Sequence, residues 1–480
     1  MTFSSVSFLF YFLPIFLGIY LVVPFKNATL LAGSLVFYAW GEPVLVLLLL
    51  ASLLANHGLG RWVAASHDRR VLALGVSLNL LALGFFKYAG LIVGLLAPVL
   101  ALLGLPQPAE PDIRLPVGIS FYTFQAISLL IDLHRRDAPP PRGLMDTALY
   151  ISMFPQLIAG PIVRYKTIAA QLRERRHSLE MFADGARIFV LGLAQKVLLA
   201  NTVAEVADEA FRGNALDPAA GALTVAAAWV GLLAYSLQVY FDFAGYSNMA
   251  IGMGRMFAFE LPQNFNFPYV AQSVTEFWRR WHITLSQWFR DYLYIPLGGN
   301  RMSSARTYLN LWIVFLLCGL WHGAALTFVF WGAFHGAFLV VERAFLGERL
   351  KRAPRLLRQL YLPLVVALGW VPFRTESFGD MSSYYAALAG LGGTEAARTV
   401  SDLMPDGMAL FLVIGSIVAV WPLVSELWDA VRRSLPETGN LASVSRLRFW
   451  ALQASLMILF VGCAAALVGG AYNPFIYFRF

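Results

Sequence analysis

Thr307–Val341, TYLNLWIVFLLCGLWHGAALTFVFWGAFHGAFLVV, decides the architecture. The run leaves one basic stretch and ends at another, and Lys and Arg favour the cytoplasmic side of a membrane, so it must cross inward and turn back. Two full crossings need about 20 residues each, whereas the run supplies 35. The turn is therefore expected to stop short of the far surface. Its midpoint, Leu320-Trp321-His322-Gly323, places an imidazole deep in the membrane region, where ionisable side chains are costly and commonly functional.

The whole chain agrees with a membrane setting. Of its 480 residues 59% are hydrophobic and 13% charged, with a mean hydropathy of +0.64, while a soluble domain is about a quarter charged. Hydrocarbon offers the backbone no hydrogen bonds, so spanning segments are helices or closed barrels. Long unbroken apolar runs, rather than short alternating ones, select helices. The expected fold is an all-α polytopic membrane protein of about ten to twelve spanning helices, from the length each crossing needs. Its further apolar runs lie near Phe8, Leu30, Leu45, Val71, Leu115, Phe182, Ala222, Leu362, Met408 and Trp450. Whether Ala28–Leu59 crosses once or twice, and on which side the N-terminus lies, stays open. The first residues have no basic start and no small-residue cleavage site, so they read as a retained helix and not a signal peptide. One membrane domain is expected over 1–480, with N-terminal helices to 110, a catalytic core over 115–345 and C-terminal helices over 356–480.

The formal net charge of +8 is spread over separate basic clusters, Arg61–Arg70, Arg135–Arg142, Arg164–Arg176 and Arg343–Arg358. These suit loops against an anionic cytoplasmic leaflet rather than nucleic acid. Acidic stretches, Pro106–Asp112, Glu205–Asp217 and Glu376–Asp406, fall between them, as alternate crossings require. Seven His, and two Cys as far apart as Cys318 and Cys463, exclude a disulfide framework, an iron-sulfur centre and a zinc site of recognisable spacing. No metal is expected.

Leu144–Val163 breaks the alternation, because basic residues flank it on both sides and Pro155, Gly160 and Pro161 interrupt any helix. It reads as re-entrant, a conformation tolerated at membrane depth only when buried in protein or lining a wet cavity. A helix lying on the membrane surface is the alternative.

Four groups of residues offer chemistry. His322 is flanked by small residues that leave room for a ligand, and a neutral buried imidazole suits a general base; a packing histidine bonded to a carbonyl is the other reading. His335 lies on the way back to the cytoplasmic face. In Asn264–Asn300, Trp278, Trp281, Leu285 and Trp288 fall near helical spacing and predict an amphipathic, interfacial helix. Its other face, Arg279, Arg280, His282 and Arg290, suits either the phosphates of a nucleotide-containing donor or lipid headgroups. Asp242, in YFDFAGYSNMAIG, is a costly carboxylate at depth; it would orient an imidazole, or pair with Arg255 or a buried tyrosine. No phosphate loop, nucleophile elbow or dinucleotide turn is present, so nucleotide hydrolysis and serine-hydrolase chemistry find no support.

Taken together, LPVGISFYTFQAISLLIDLHR, MFPQLIAGPIVRY, YFDFAGYSNMAIGMGRMF, FWRRWHITLSQWFRDYLYIPLGGNR, LWHGAALTFVFWGAFHG and the terminal NPFIYFRF resemble the membrane-bound O-acyltransferase family, above all its bacterial alginate O-acetyltransferase branch. The resemblance implies a ring of helices around a thin central partition, with a tunnel open to both sides. It makes His322 the catalytic histidine and His282 the second polar site position; from their own chemistry and place in the chain, Gln156, Arg164, Asp242, Arg279, Arg280 and Trp321 are expected to line the site or the donor path. It further implies acetyl-CoA as a cytosolic acyl-donor substrate, no bound cofactor, an exopolysaccharide hydroxyl or a periplasmic partner protein as the sink, and a place in the bacterial inner membrane. D-alanyl transfer to an envelope polymer belongs to a sibling branch, and a proton-coupled transporter is the alternative from another class.

Overall fold

The computed structural model describes residues 2–109, 111–212, 222–391, 397–404, 407–426, 441–470 and 473, with only the backbone described for 441–449. Parts of the three acidic stretches, and NPFIYFRF beyond Asn473, lie outside the described residues. Helices follow one another as α1 (Leu13–Val22), α2 (Lys26–Gly41), α3 (Val46–Ser66), α4 (Arg69–Leu102) and α5 (Ile119–Arg135). The middle of the chain forms α6 (Leu144–Ser152), α7 (Phe154–Leu157), α8 (Tyr165–Arg173), α9 (Leu179–Ala194), α10 (Asn201–Arg212) and α11 (Val225–Met256). Then come α12 (Val274–Arg280), α13 (Ile283–Phe289), α14 (Ser304–His322), α15 (Leu326–Val341), α16 (Gly347–Arg352) and α17 (Arg355–Arg374). After α18 (Phe378–Leu388), α19 (Val400–Leu403) and α20 (Met408–Ala419), the last helix is Leu441–Val468. No strand occurs among the described residues, only an isolated bridge between Leu223 and Arg398.

Among the described residues, eight helical stretches are long and apolar enough to cross a membrane, and Phe8–Val22 and Met408–Ala419 are shorter apolar helices. Ala28–Leu59 resolves into two helices, α2 and α3, separated by a turn at Glu42–Leu45. The sidedness of α4 is plain from its residues. Val71, Gly75, Asn79, Leu83 and Lys87 recur every four positions and are buried, whereas Leu74, Leu78, Leu81 and Phe85 are exposed apolar residues fit for lipid. On the buried stripe, Asn79 and Asn56 of α3 donate their amides to one another's carbonyl oxygens at 2.8 and 3.1 Å, which pins the two helices together.

Helix α11 is the most buried of the spans, and it packs on α9 through glycines seven residues apart. A Cβ on Gly185 would stand 2.6 Å from the Gly252 carbonyl oxygen, and one on Gly192 2.6 Å from that of Gly245. Only bare backbone permits this approach, and the two pairs run in opposite order, as antiparallel helices demand. The hairpin closes in the same manner, since a Cβ on Gly319 of α14 would lie 2.2 Å from the Phe328 carbonyl oxygen, and one on Gly332 of α15 2.2 Å from that of Phe315.

The expected hairpin is present. Helix α14 ends at His322 and α15 begins at Leu326, so the turn takes three residues. Leu144–Val163 is indeed interrupted, with α6 ending before Met153, the single turn of α7, and irregular backbone from Ile158. Asp146–Val163 is buried throughout, which excludes a helix lying on the membrane surface. Its unpaired amides find side chains, as backbone away from water must: Phe154 N–H donates to Ser34 Oγ at 3.1 Å and Ile162 N–H to Thr284 Oγ1 at 2.9 Å.

One expectation fails. The aromatic stretch is not a continuous interfacial helix but two short ones, α12 and α13, broken at His282, whose φ of 42° is left-handed. Trp278, Trp281, Leu285 and Trp288 are buried in protein rather than laid on lipid. The break is held by a neighbouring extended segment: Asn266 N–H donates to the Arg280 carbonyl, Ile283 N–H to the Asn264 carbonyl, and Thr284 Oγ1 to Asn264 Oδ1, all at 2.9 Å. Helical spacing concealed this because the tertiary bonds that replace the helix come from residues upstream.

The glycine contacts make a prediction. Gly192→Leu should force α9 and α11 apart at a cost of about 1–3 kcal/mol, typical of overpacking. A lowered melting temperature in detergent checks this; an unchanged one would remove the close approach from the account of the fold.

Candidate active site

His322 terminates α14, and its environment fixes which nitrogen can act as a base. Nδ1 lies 2.8 Å from the Cys318 carbonyl oxygen. A carbonyl only accepts, so Nδ1 carries the hydrogen and Nε2 keeps its lone pair. Trp331, Trp321 and Phe373 surround the ring with centroids at 4.9, 5.0 and 5.5 Å. The residue borders a cavity of about 110 Å³ shared with Lys87, Ser120, Trp321, Ile158 and Ala159, the last two from the interrupted segment. The short hairpin and the broken segment are thus brought to one place.

His282 stands beside it, edge-on, with ring centroids 6.4 Å apart. It is fully buried, and neither ring nitrogen has a hydrogen-bond partner among the described residues. A left-handed histidine carries backbone strain, which tends to persist where the surroundings hold a side chain in place for function. Trp321 lies 6.0 Å from the His282 ring, and its indole N–H is likewise buried and unpartnered.

The remaining expected residues separate. Gln156 is buried in α7 and donates to the Tyr150 carbonyl, and it is not among the residues that line the small cavity. Arg164 pairs with Asp291 and donates to Gln287 Oε1 at 3.0 Å, tying the interrupted segment to α13. Burial raises the Asp291 carboxyl, but the hydrogen bond and charge of Arg290, with the charges of Arg164 and Lys166, outweigh it and hold the group below the usual carboxylate range. Asp242 neither orients an imidazole nor meets Arg255. It pairs with Lys196 at 2.7 Å, both side chains only 1% exposed, while Arg255 faces Asp184 at 3.7 Å. Arg280 is held by Glu276 at 2.9 Å and donates to the Asn266 carbonyl at 3.2 Å. Exposed Arg279 lines an open cavity of about 600 Å³ with Arg343, Lys351 and Arg358 from the basic stretch after α15.

A second large cavity, about 500 Å³, opens beside the hairpin turn and is lined by Lys87, Gly323, Ala325, Phe373 and Arg374. Between the two large cavities runs one face of α15, where Trp331, His335 and Leu339 follow at helical spacing, continued by Glu342 just past the helix end; Leu339 and Glu342 border the basic cavity. His335 is fully buried, stacks on Phe277 at 6.4 Å and meets Trp331 edge-on at 5.1 Å, with neither nitrogen partnered among the described residues.

Lys87 went unmarked in the sequence, although one lysine inside the long apolar run of α4 is a signal of function. Its ammonium donates to the Trp321 carbonyl at 2.6 Å.

An all-helical site among apolar helices, with one tautomer-fixed histidine between cavities on either side, is a candidate centre for an integral-membrane transferase. Comparison with known proteins names the family. The MBOAT, membrane-bound O-acyltransferase family, matches residues 139–366, which include both histidines. Over the full length of both chains this protein is 40% identical to the probable alginate O-acetylase AlgI of Azotobacter vinelandii and 39% to that of Pseudomonas aeruginosa. It is 36% identical to the peptidoglycan O-acetyltransferase of Helicobacter pylori, over 82% of this chain and 80% of that one. The chain belongs to the membrane-bound O-acyltransferase family and is a multi-pass membrane O-acyltransferase.

The Lys196–Asp242 pair is expected to be structural. Lys196→Met would remove the counter-ion of a buried carboxylate, which typically costs about 3–5 kcal/mol, whereas Lys196→Met with Asp242→Leu should recover much of the loss. Thermal melting of the two variants in detergent is the check. Equal destabilisation would count against the pair.

Proposed function

We propose that this chain resides in the bacterial inner membrane and passes an acetyl group from cytosolic acetyl-CoA to a hydroxyl on the opposite face, with His322 as general base. The acceptor would be an exopolysaccharide such as alginate, or a periplasmic partner protein that carries the group onward. The observation that carries this reading is the Nδ1–H donation to the Cys318 carbonyl, because it leaves Nε2 free to take a proton at the small cavity.

In the proposed reaction, Nε2 accepts the proton of the acceptor hydroxyl as its oxygen attacks the thioester carbonyl. The tetrahedral intermediate collapses, the C–S bond breaks, and the imidazolium returns the proton to the departing thiolate. Products are the O-acetyl ester and free thiol, with the histidine regenerated. Two features support a donor from the basic side. Arg279, Arg343, Lys351 and Arg358 give the 600 Å³ cavity cations suited to phosphates. The unpartnered nitrogens of His335, His282 and Trp321, on the way from that cavity to His322, suit a donor arm that carries amides. The relatives' names, O-acetylase and O-acetyltransferase, support acetyl as the cargo.

His322→Ala and His322→Gln should fold and insert yet lose at least about 100-fold in transfer rate, the lower bound for a general base. Radiolabelled acetyl transfer in membranes measures this, and substantial activity in either variant would remove His322 from the chemistry. His282→Ala should lower the rate less completely.

Sidedness is a separate expectation. In sealed inverted vesicles, acetyl-CoA added outside should be consumed only when acceptor is inside. Arg279→Gln should raise the donor's KM and weaken its salt dependence with the acceptor's KM unchanged. Arg280→Gln should do less, since that guanidinium is already held by Glu276. Loss of acceptor affinity with donor affinity kept would place the donor entrance elsewhere.

A further inference from the structure

We propose that Lys87, together with Tyr88, is a positioning residue that holds the end of α14 and thereby the place of His322; this rests on the reading of His322 as the base. The argument starts from the cost of the charge. Lys87 lies well inside the long apolar helix α4 and is 8% exposed, so its ammonium must be met by polar groups of the protein. Those groups are the Trp321 carbonyl at 2.6 Å, the His322 carbonyl at 3.4 Å and Ser120 Oγ at 3.3 Å, with the Trp321 ring face 5.9 Å away. Three N–H donors have three oxygen acceptors.

What α14 gains is equally specific. A helix that ends leaves its last four carbonyls without amide partners, and here the end is buried, at the hairpin turn. Gly319 O accepts from Gly323 N–H at 3.4 Å, Leu320 O from the Tyr88 hydroxyl at 2.8 Å, and Trp321 and His322 from Lys87. All four carbonyls are accounted for, three of them by two adjacent residues of α4. A cation is also the favoured group at the negative end of a helix dipole.

The consequence reaches the imidazole through the backbone. The Nδ1–H bond to Cys318 O spans one helical turn, so it survives only while residues 318–322 stay helical. Without Lys87, two carbonyls at that end lose their donors, and the turn that carries the base loosens. A tyrosine hydroxyl offers one hydrogen, so it caps one carbonyl; serving two carbonyls and Ser120 at once takes an ammonium. Because Lys87 borders both the small cavity at His322 and the larger one at the turn, it holds the base where the two spaces meet.

The test compares K87M, K87R, Y88F and H322A in native membranes, using acetyl-CoA and an O-acetylated product as readout and detergent melting temperature as the folding control. K87M should lower kcat at least about tenfold with both KM values within about twofold, since a misplaced base costs rate and not binding. K87R, which keeps charge and donors, should recover to within about threefold of wild type, and Y88F, losing one cap, should fall between wild type and K87M. If K87M keeps half of the wild-type kcat while H322A is inactive, the role of Lys87 is overturned and that of His322 stands. Activity in H322A would instead overturn the base on which the inference rests. K87R no better than K87M, or KM values that move together with kcat, would make Lys87 a packing or ligand-binding residue. Should K87M fail to accumulate, full kcat in Y88F overturns the shared clamp by itself.

Discussion

A helix that stops inside a membrane protein must have its last carbonyls satisfied by its neighbours, and the arrangement around His322 depends on that constraint. In water the end of α14 would be solvated at little cost. Away from water each unmet carbonyl costs several kcal/mol, so the turn exists only because α4 brings Lys87 and Tyr88 against it. The same helix end creates the special position of the histidine. Residue 322 is the last of the helix with a full turn beneath it, which supplies the Cys318 carbonyl for Nδ1, and with Trp321 it borders the small cavity.

Irregular backbone elsewhere obeys the same rule. The interrupted segment between α6 and α8 and the break at His282 are both buried and are joined through Thr284, whose hydroxyl accepts from Ile162 N–H and donates to Asn264. One threonine therefore couples the irregular wall of the small cavity to the strained residue opposite His322. Two departures from helix that would each be unfavourable alone complete one another's hydrogen bonding.

Much of this was legible in the sequence because the membrane makes length and charge informative. A 35-residue run between basic stretches requires a hairpin, and prolines between basic flanks require an interruption; the hairpin and the interruption are both present, although each arm of the hairpin, with the residues that extend it, is long enough for a full crossing. Pairings between distant residues were not legible. Asp242 sits on α11 and its partner Lys196 lies between α9 and α10, and nothing local distinguishes that pairing from one with Arg255 on its own helix. The break at His282 was hidden for a different reason: tryptophans at helical spacing pack equally well from two short helices, and the residues that replace the missing turn, Asn264 and Asn266, lie 18 and 16 positions upstream.

The glycines of the hairpin bear on how firmly His322 is placed. Gly319 and Gly332 bring the backbones of α14 and α15 into direct contact, which leaves no side chain between them to change rotamer and let the helices slide. Such an interface is rigid because it contains little besides backbone. One side of the turn that carries His322 is thus fixed by shape, through α15, and the other by charge and hydrogen bonding, through α4. Neither restraint suffices alone: shape without the cap leaves carbonyls unmet, and the cap without close packing leaves the helix free to shift along its axis. Their conjunction fixes the end of α14, and with it His322, beside the small cavity.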